Sequence, residues 1–170
     1  MDNINIYKSN LPYPSLDNIE KNPSWANLIQ VSYAGLTSEF SAIAQYTNHY
    51  LKINDDYADI HKTLRKITFV EMTHLEILGK LIVILGGDPG YYIIKNNKHL
   101  NWVPSLIHYG SNIKDMLLSD IDAKKASIAQ YMSIEKEINN DSIFAILDRI
   151  ILDEELHLQI LYGLYKKYFL

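Results

Sequence analysis

The chain has 170 residues, of which 48% are hydrophobic, and a formal net charge of −4. This length and composition predict one globular domain with a sizeable core, and the negative charge gives no electrostatic footprint for nucleic acid. No apolar run approaches the roughly 20 residues of a membrane span, and the absence of cysteine excludes disulfides, thiolate metal sites and cysteine nucleophiles.

The N-terminal part of the chain predicts an arm followed by a long helix. Residues 1–22 are rich in Asn and Pro and are expected to be extended, without a helix of their own. Asn22 and Pro23 form a helix start, because Asn caps well and Pro suits the first helical position. Helix A then runs from about Ser24 to Ile53. Glu39 is its only carboxylate, and small residues on the same face leave room for a liganded partner.

Three further helices and one long connection follow. Helix B is predicted from about Tyr57 to Leu85, where glycines and a proline end it. The next stretch, 86–110, has no clear period, which is expected of a crossover joining two parallel helices of a bundle. Helix C covers about Ser111–Asn139, and helix D runs to the C-terminus. The only strand candidate is 91–94, so the prediction is an all-α four-helix bundle over residues 23–170.

Two short motifs on helices B and D repeat the same chemistry, Glu71-x-x-His74 and Glu154-x-x-His157. Residues three apart lie side by side on one helix face, and each pair falls inside an apolar stripe that predicts burial. Charged groups there must be paired, hydrogen-bonded or bound to metal, because an unpaired buried charge costs several kcal/mol. One such motif alone would indicate an exposed helix pair. Two motifs, with Glu39 as a third buried glutamate, favour a metal site.

The chain resembles the ferritin-like superfamily, and in particular the small clostridial-type proteins grouped with manganese catalase, rubrerythrin and bacterioferritin. The segments that carry this resemblance are Ser38-Glu39, Glu71–Glu76, Leu85–Pro89 and Asp153–His157. It covers about residues 11–170 and implies a ferritin-like four-helix bundle with a dinuclear Mn or Fe centre. It also implies peroxide or dioxygen chemistry, namely hydrogen peroxide disproportionation, peroxide reduction or ferrous oxidation.

The family pattern is broken on helix C, where the spacing expects a glutamate and the chain has Lys124. Neighbouring carboxylates do not replace it, since Asp120 and Asp122 flank the apolar stripe and Glu135 lies about 16 Å further along. Lys124 either extends to solvent, acts as a neutral metal ligand, or places its ammonium where a metal cation would sit. In the last case three carboxylates around one ammonium leave a charge of −2, which one divalent cation neutralises.

We therefore hypothesise that the metal position of Glu39, Glu71 and His74 is retained and that the position of Glu154 and His157 is weakened or lost. The expected cofactor is Mn or Fe, one or two ions per chain, with Zn as an alternative in a crystal because the same ligands suit it. Glu154 is the expected catalytic proton shuttle.

Two tyrosines lie on the same helix faces as the predicted site. Tyr46 and Tyr131 are two turns from Glu39 and Lys124, respectively. They either relay electrons or hydrogen-bond a ligand carboxylate, or they pack in the core, as tyrosines of helical bundles commonly do.

Two functions of different classes follow from the sequence. The first is a metal protein whose partners are hydrogen peroxide, dioxygen or ferrous iron. The second is a catalytically weak structural or spore-coat protein that retains the bundle around a salt-bridged site. In both cases we expect no nucleic-acid or membrane partner and a homo-oligomer, a dimer or larger. The polar N-terminus shows no secretion signal, so a cytoplasmic location is expected, with the spore coat as the alternative.

Overall fold

The computed structural model describes residues 4–96 and 98–170. Within them the chain forms a four-helix bundle from five α-helices: α1 (Pro23–Ala34), α2 (Glu39–Lys52), α3 (Ala58–Ile84), α4 (Ile113–Glu135) and α5 (Asp141–Phe169). Two short strands, β1 (Tyr92–Lys95) and β2 (Lys98–Asn101), pair antiparallel. Single turns of 3-10 helix cover Ile4–Tyr7, Asp55–Tyr57 and Pro104–Leu106. None of the described helices combines the length and the apolar character that crossing a bilayer requires.

The first helix of the bundle is divided into α1 and α2, so the prediction of one continuous helix A is wrong in its middle. The backbone leaves the helical conformation at Gly35, where a Cβ would collide with the Val31 carbonyl. Ser38 then starts α2, because its hydroxyl accepts from the Ser41 backbone N–H at 3.1 Å and donates to the Gly35 carbonyl at 2.7 Å. The break places Glu39 at the first position of α2.

Replacing Ser38 by Ala is expected to lower the free energy of unfolding by about 1 kcal/mol, because the first turn of α2 loses its side-chain cap. Urea denaturation measures this change. Ser15→Ala is the matched control, since Ser15 is exposed and its loss should change stability by less than about 0.5 kcal/mol. Equal effects of the two substitutions would contradict the capping role.

The crossover between α3 and α4 carries the β-hairpin; its first strand overlaps the candidate at 91–94, whereas the sequence pattern did not predict the second strand. Strands of four residues are too short to show a clear period of two. The crossover packs on α2: the ring of Tyr91 stacks on Phe40 with centroids 4.0 Å apart, and Trp102 Nε1 donates to Ser41 Oγ at 2.9 Å. Residue 97 of the predicted crossover lies outside the described residues.

The apolar core consists of two clusters separated along the helices by polar residues. On α3, Ile60, Leu64 and Ile67 belong to one cluster, and Leu78 and Leu81 belong to the other. All five side chains are at most 1% exposed, so the apolar stripe predicted for helix B is buried along its length. The polar residues between the clusters form the candidate site.

Before α1, the described chain consists of the turn Ile4–Tyr7 and a largely extended stretch that reaches Asn22. The Asn22 side chain caps α1 by accepting from the Trp25 backbone N–H at 3.2 Å. Residues 1–3 of the predicted arm lie outside the described residues, and the assignment of 1–22 as a separate segment stays a prediction.

Candidate metal centre

Four of the predicted ligands meet in the middle of the bundle. Glu39 comes from α2, Glu71 and His74 come from α3, and Glu154 comes from α5. One ligand atom from each lies within 4.8 Å of all the others, and none of the side chains is more than 2% exposed. The structure therefore contains a buried carboxylate and histidine group that could hold a metal ion.

The imidazole of His74 is oriented for metal binding. Its Nε2 donates to Asp153 Oδ2 at 3.1 Å, whereas Nδ1 has no hydrogen-bond partner within the described residues. Nδ1 lies 3.8, 3.7 and 3.5 Å from carboxylate oxygens of Glu39, Glu71 and Glu154. A ligand histidine commonly donates its second N–H to a carboxylate, so the bond to Asp153 leaves Nδ1 directed at the three glutamates.

The carboxylates around His74 favour its positively charged form. Burial alone would lower the pKa of His74, but the hydrogen bond to Asp153 and the neighbouring glutamates raise it well above its ordinary value. In the absence of metal the carboxylates therefore favour the imidazolium form, with a second proton on Nδ1. A proton and a metal ion then compete for Nδ1.

Lys124 also lies among the carboxylates. Its side chain is 2% exposed, and Nζ lies 2.6 Å from Glu154 Oε2 and 2.9 Å from Glu71 Oε2. Burial opposes the charge, yet Glu154 and Glu71 raise the pKa of Lys124 well above its ordinary value. The side chain is thus directed at the carboxylates rather than at solvent, and their negative charge favours its ammonium form.

His157 lies outside the group of four, although it contacts two of its members. Its Nδ1 is 2.9 Å from Glu71 Oε1 and 3.6 Å from Glu154 Oε1. Its Nε2 donates to the Tyr7 carbonyl at 2.7 Å. Burial lowers the pKa of His157, but the attraction of Glu71 and Glu154 outweighs this effect and raises it. His157 and Lys124 therefore share Glu71 and Glu154 as partners.

The charges of these residues fit one divalent cation better than two. With all three buried glutamates ionised and both histidines neutral, the Lys124 ammonium leaves two negative charges, which a single divalent ion neutralises. A second ion would have to sit where Lys124 Nζ already contacts Glu71 and Glu154. His74 Nδ1 and Glu154 Oε1 remain without a hydrogen-bond partner within the described residues, whereas the two oxygens of Glu71 already lie 2.9 Å from Lys124 Nζ and His157 Nδ1. Unpaired buried atoms of this kind suit a metal ligand set.

The two predicted tyrosines contact different parts of the group. The Tyr131 hydroxyl donates to Glu39 Oε1. Burial, together with Glu154 and Glu71, raises the pKa of Glu39 to about 8. The ring of Tyr46 faces Lys124, with Nζ 5.6 Å from its centroid. Its hydroxyl has no hydrogen-bond partner within the described residues.

A small cavity between α2 and α4 leads toward this group. Its volume is about 30 Å³, enough for one water-sized molecule. Buried Glu39, Tyr46 and Lys124 line it together with exposed Leu36. A molecule of about the size of water could therefore approach Glu39 and Lys124.

Asp153 was missed by sequence reasoning. It is fully buried and accepts from His74, from the Tyr13 hydroxyl at 2.7 Å and from the Ser9 backbone N–H at 2.5 Å. Arg149 Nη1 lies 2.7 Å from Asp153 Oδ1. The available signal was a charged pair four residues apart within the apolar part of helix D.

A second buried polar cluster ties the crossover to the bundle and was also missed. His49 Nδ1 lies 2.9 Å from the Asp120 carboxylate, and Nε2 lies 2.7 Å from the His108 carbonyl. Gln45 donates to Asp120 at 2.8 Å and accepts from the His108 backbone N–H at 2.8 Å. Each polar side chain of this cluster is satisfied, which indicates a structural role.

Comparison with known proteins gives consistent matches. The sequence model of the rubrerythrin family matches residues 33–165. A bacterioferritin from Desulfovibrio desulfuricans is 28% identical, over 78% of this chain and 71% of that protein. A manganese catalase structure from Anabaena has a TM-score of 0.83 at 22% identity and covers 94% of this chain and 78% of its own. A dodecameric thioferritin from Bacteroides fragilis has a TM-score of 0.67 at 20% identity and covers 87% of this chain and 88% of its own. These matches confirm the predicted ferritin-like four-helix bundle.

Proposed function

Because this chain belongs to the rubrerythrin family, we propose that it binds a manganese or iron ion and handles hydrogen peroxide or ferrous iron at the centre described above. The proposed ligands are Glu39, Glu71, His74 and Glu154. The observation that carries the proposal is His74, whose Nδ1 is unbonded among three glutamates while Asp153 holds Nε2. The similarity to a bacterioferritin and to a manganese catalase supports the choice of metals.

The residues around the proposed ion have distinct tasks. A bound Mn or Fe ion would polarise a small oxygen ligand and exchange electrons with it. Glu154 holds Lys124 through Oε2, whereas its Oε1 has no hydrogen-bond partner within the described residues, which supports a role for Oε1 in carrying a proton or binding the ion. The cavity beside Glu39 supports a small substrate, since about 30 Å³ admits a peroxide molecule and excludes bulky organic peroxides.

A second candidate function is a catalytically weak structural or coat protein. The salt bridge of Lys124 with Glu71 and Glu154 favours it, because the ammonium balances the carboxylates where a second metal ion would otherwise be needed. A site with one ion cannot divide a two-electron change between two metals. Oxygen release from hydrogen peroxide by Mn-loaded and Fe-loaded protein separates the two functions, since the structural protein predicts no turnover with either metal.

Glu71→Gln is expected to weaken Mn²⁺ binding by at least about 100-fold and to abolish any peroxide turnover, because it removes an anionic ligand between His74 and Lys124. Titration calorimetry and metal analysis measure the change. The control is Glu76→Gln on the same helix, since Glu76 is 65% exposed and pairs with Lys80. Equal affinities for the two variants, or no metal in the unaltered protein, would contradict the proposed centre.

The expected assembly is a homo-oligomer, in line with the dodecameric structural relative. Sizing chromatography with light scattering tests this expectation. A mass near the 19.6 kDa of one chain would contradict it.

A further inference from the structure

In His74 and His157, the ring nitrogen that faces away from the glutamates is linked by hydrogen bonds to residues 7–13. These residues are part of the predicted N-terminal arm, and from here on the name arm refers to them alone. His157 Nε2 donates directly to the Tyr7 carbonyl at 2.7 Å. His74 Nε2 donates to Asp153, which in turn accepts from the Ser9 backbone and the Tyr13 hydroxyl. Both imidazoles are thus oriented through contacts with a segment that lies more than 60 residues from His74 in sequence.

The arm is attached to α5 by Arg149, whose side chain is only 4% exposed. Arg149 Nε donates to the Leu11 carbonyl at 2.7 Å, and Nη2 donates to the Ser9 carbonyl at 3.0 Å. The guanidinium also lies 4.2 Å from the ring centroid of Tyr13, and the Tyr13 ring meets His74 edge-on, with centroids 6.0 Å apart. Hydrogen bonds from a charged donor to carbonyls are stronger than neutral ones, so the arm is held in a defined position.

We propose that the arm positions both site histidines, and that through the ligand His74 docking of the arm and binding of metal at the proposed centre strengthen each other. An acceptor at Nε2 keeps that nitrogen protonated and leaves Nδ1 as the nitrogen that meets a cation. If the docked arm raises metal affinity by some factor, bound metal must stabilise the docked arm by the same factor. The inference rests on the proposed function and assigns Asp153 and Tyr13 as positioning residues.

Limited trypsin digestion tests the coupling directly. Lys8 lies within the arm, whereas exposed Lys98 lies in the hairpin and serves as the internal control. One equivalent of Mn²⁺ is expected to slow cleavage after Lys8 by about tenfold, a usual size for coupled binding, and to leave cleavage after Lys98 unchanged. Equal rates after Lys8 with and without Mn²⁺ would overturn the coupling.

Tyr13→Phe tests the positioning role with the loss of a single hydroxyl. We expect about tenfold weaker Mn²⁺ binding, the usual effect of removing a contact behind a ligand histidine, and faster cleavage after Lys8. In the metal-free protein, NMR should show faster solvent exchange of the His74 Nε2–H. Tyr162→Phe is the control, because Tyr162 lies on α5 with 47% of its side chain exposed. The positioning role is overturned if the two variants behave alike.

These measurements also separate this inference from the proposed function. If the unaltered chain binds no metal, the proposed centre and the coupling fail together. Exchange of the His74 Nε2–H still decides whether the arm positions the imidazole, because that measurement uses metal-free protein. If metal binds but Tyr13→Phe changes neither affinity nor exchange, only the positioning role of the arm fails.

Discussion

Lys124→Glu is expected to raise the metal content of the purified protein from one divalent ion per chain to two. The substitution removes an ammonium that contacts Glu71 and Glu154 and adds a carboxylate beside them. The local charge changes by two units, which is the charge of the added cation. His157 then gains a second role, since its Nδ1 beside Glu71 and Glu154 becomes available to that ion.

Metal analysis after growth with added manganese, followed by titration calorimetry, measures this increase. Lys125→Glu is the matched control, because Lys125 carries the same charge but is 60% exposed and pairs with Asp122. The control is expected to keep one ion per chain. The account of Lys124 as a replacement for a cation would be wrong if Lys124→Glu also kept one ion, or if the unaltered protein already held two.

Lys124→Met is expected to lower the free energy of unfolding of the metal-free protein by about 3–5 kcal/mol, the usual effect of removing one member of a buried ion pair. Methionine fills a similar volume without the charge, so Glu154 loses the hydrogen bond at 2.6 Å and Glu71 loses its contact at 2.9 Å. A change of this size is a large part of the 5–15 kcal/mol by which domains are typically stable. Urea denaturation in the presence of a chelator measures it.

Added Mn²⁺ should restore part of this stability, because a cation that binds only the folded chain stabilises it by about 2.7 kcal/mol at 100 times its dissociation constant. Lys125→Met provides the comparison and should change stability by less than about 0.5 kcal/mol. If Lys124→Met is no less stable than Lys125→Met, the ammonium does not balance the buried glutamates, and the structural alternative loses its main support.

Lys124→Glu and Lys124→Met both test whether the buried carboxylates must be balanced by a cation, which comes either from the protein or from solution. In this chain Lys124 neutralises part of the negative charge of the buried glutamates, and we expect the proposed metal ion to neutralise the rest. We expect a protein with this arrangement to fold without metal, because Lys124 places a positive charge beside Glu71 and Glu154. We expect the same arrangement to limit the centre to fewer ions than the dinuclear pattern that the family resemblance implies.

The helices and most of the site followed from the sequence because helix geometry is local. An apolar stripe repeating every three or four residues predicts which face is buried, so Glu71 with His74 and Glu154 with His157 were placed on inward faces without coordinates. The same regularity placed position 124 on the apolar face of helix C, where the family spacing expects a glutamate and the chain has a lysine. Family spacing and helical period agree at these positions, and the rubrerythrin match covers them all.

Contacts between segments far apart in the chain were decided by the tertiary structure alone. The break before Glu39 depends on Gly35 and the Ser38 cap, which compete with an otherwise helical pattern. In the sequence, Asp153 looks like any other position on the buried face of helix D. Its hydrogen bonds from Ser9 and Tyr13, about 140 residues away in sequence, form only when the arm docks on the bundle. The lysine side chain has four rotatable carbon bonds, so its direction is not set by the helix that carries it. Lys124 turns inward because α3 and α5 bring two carboxylates within reach of its ammonium, and no local pattern encodes that distance.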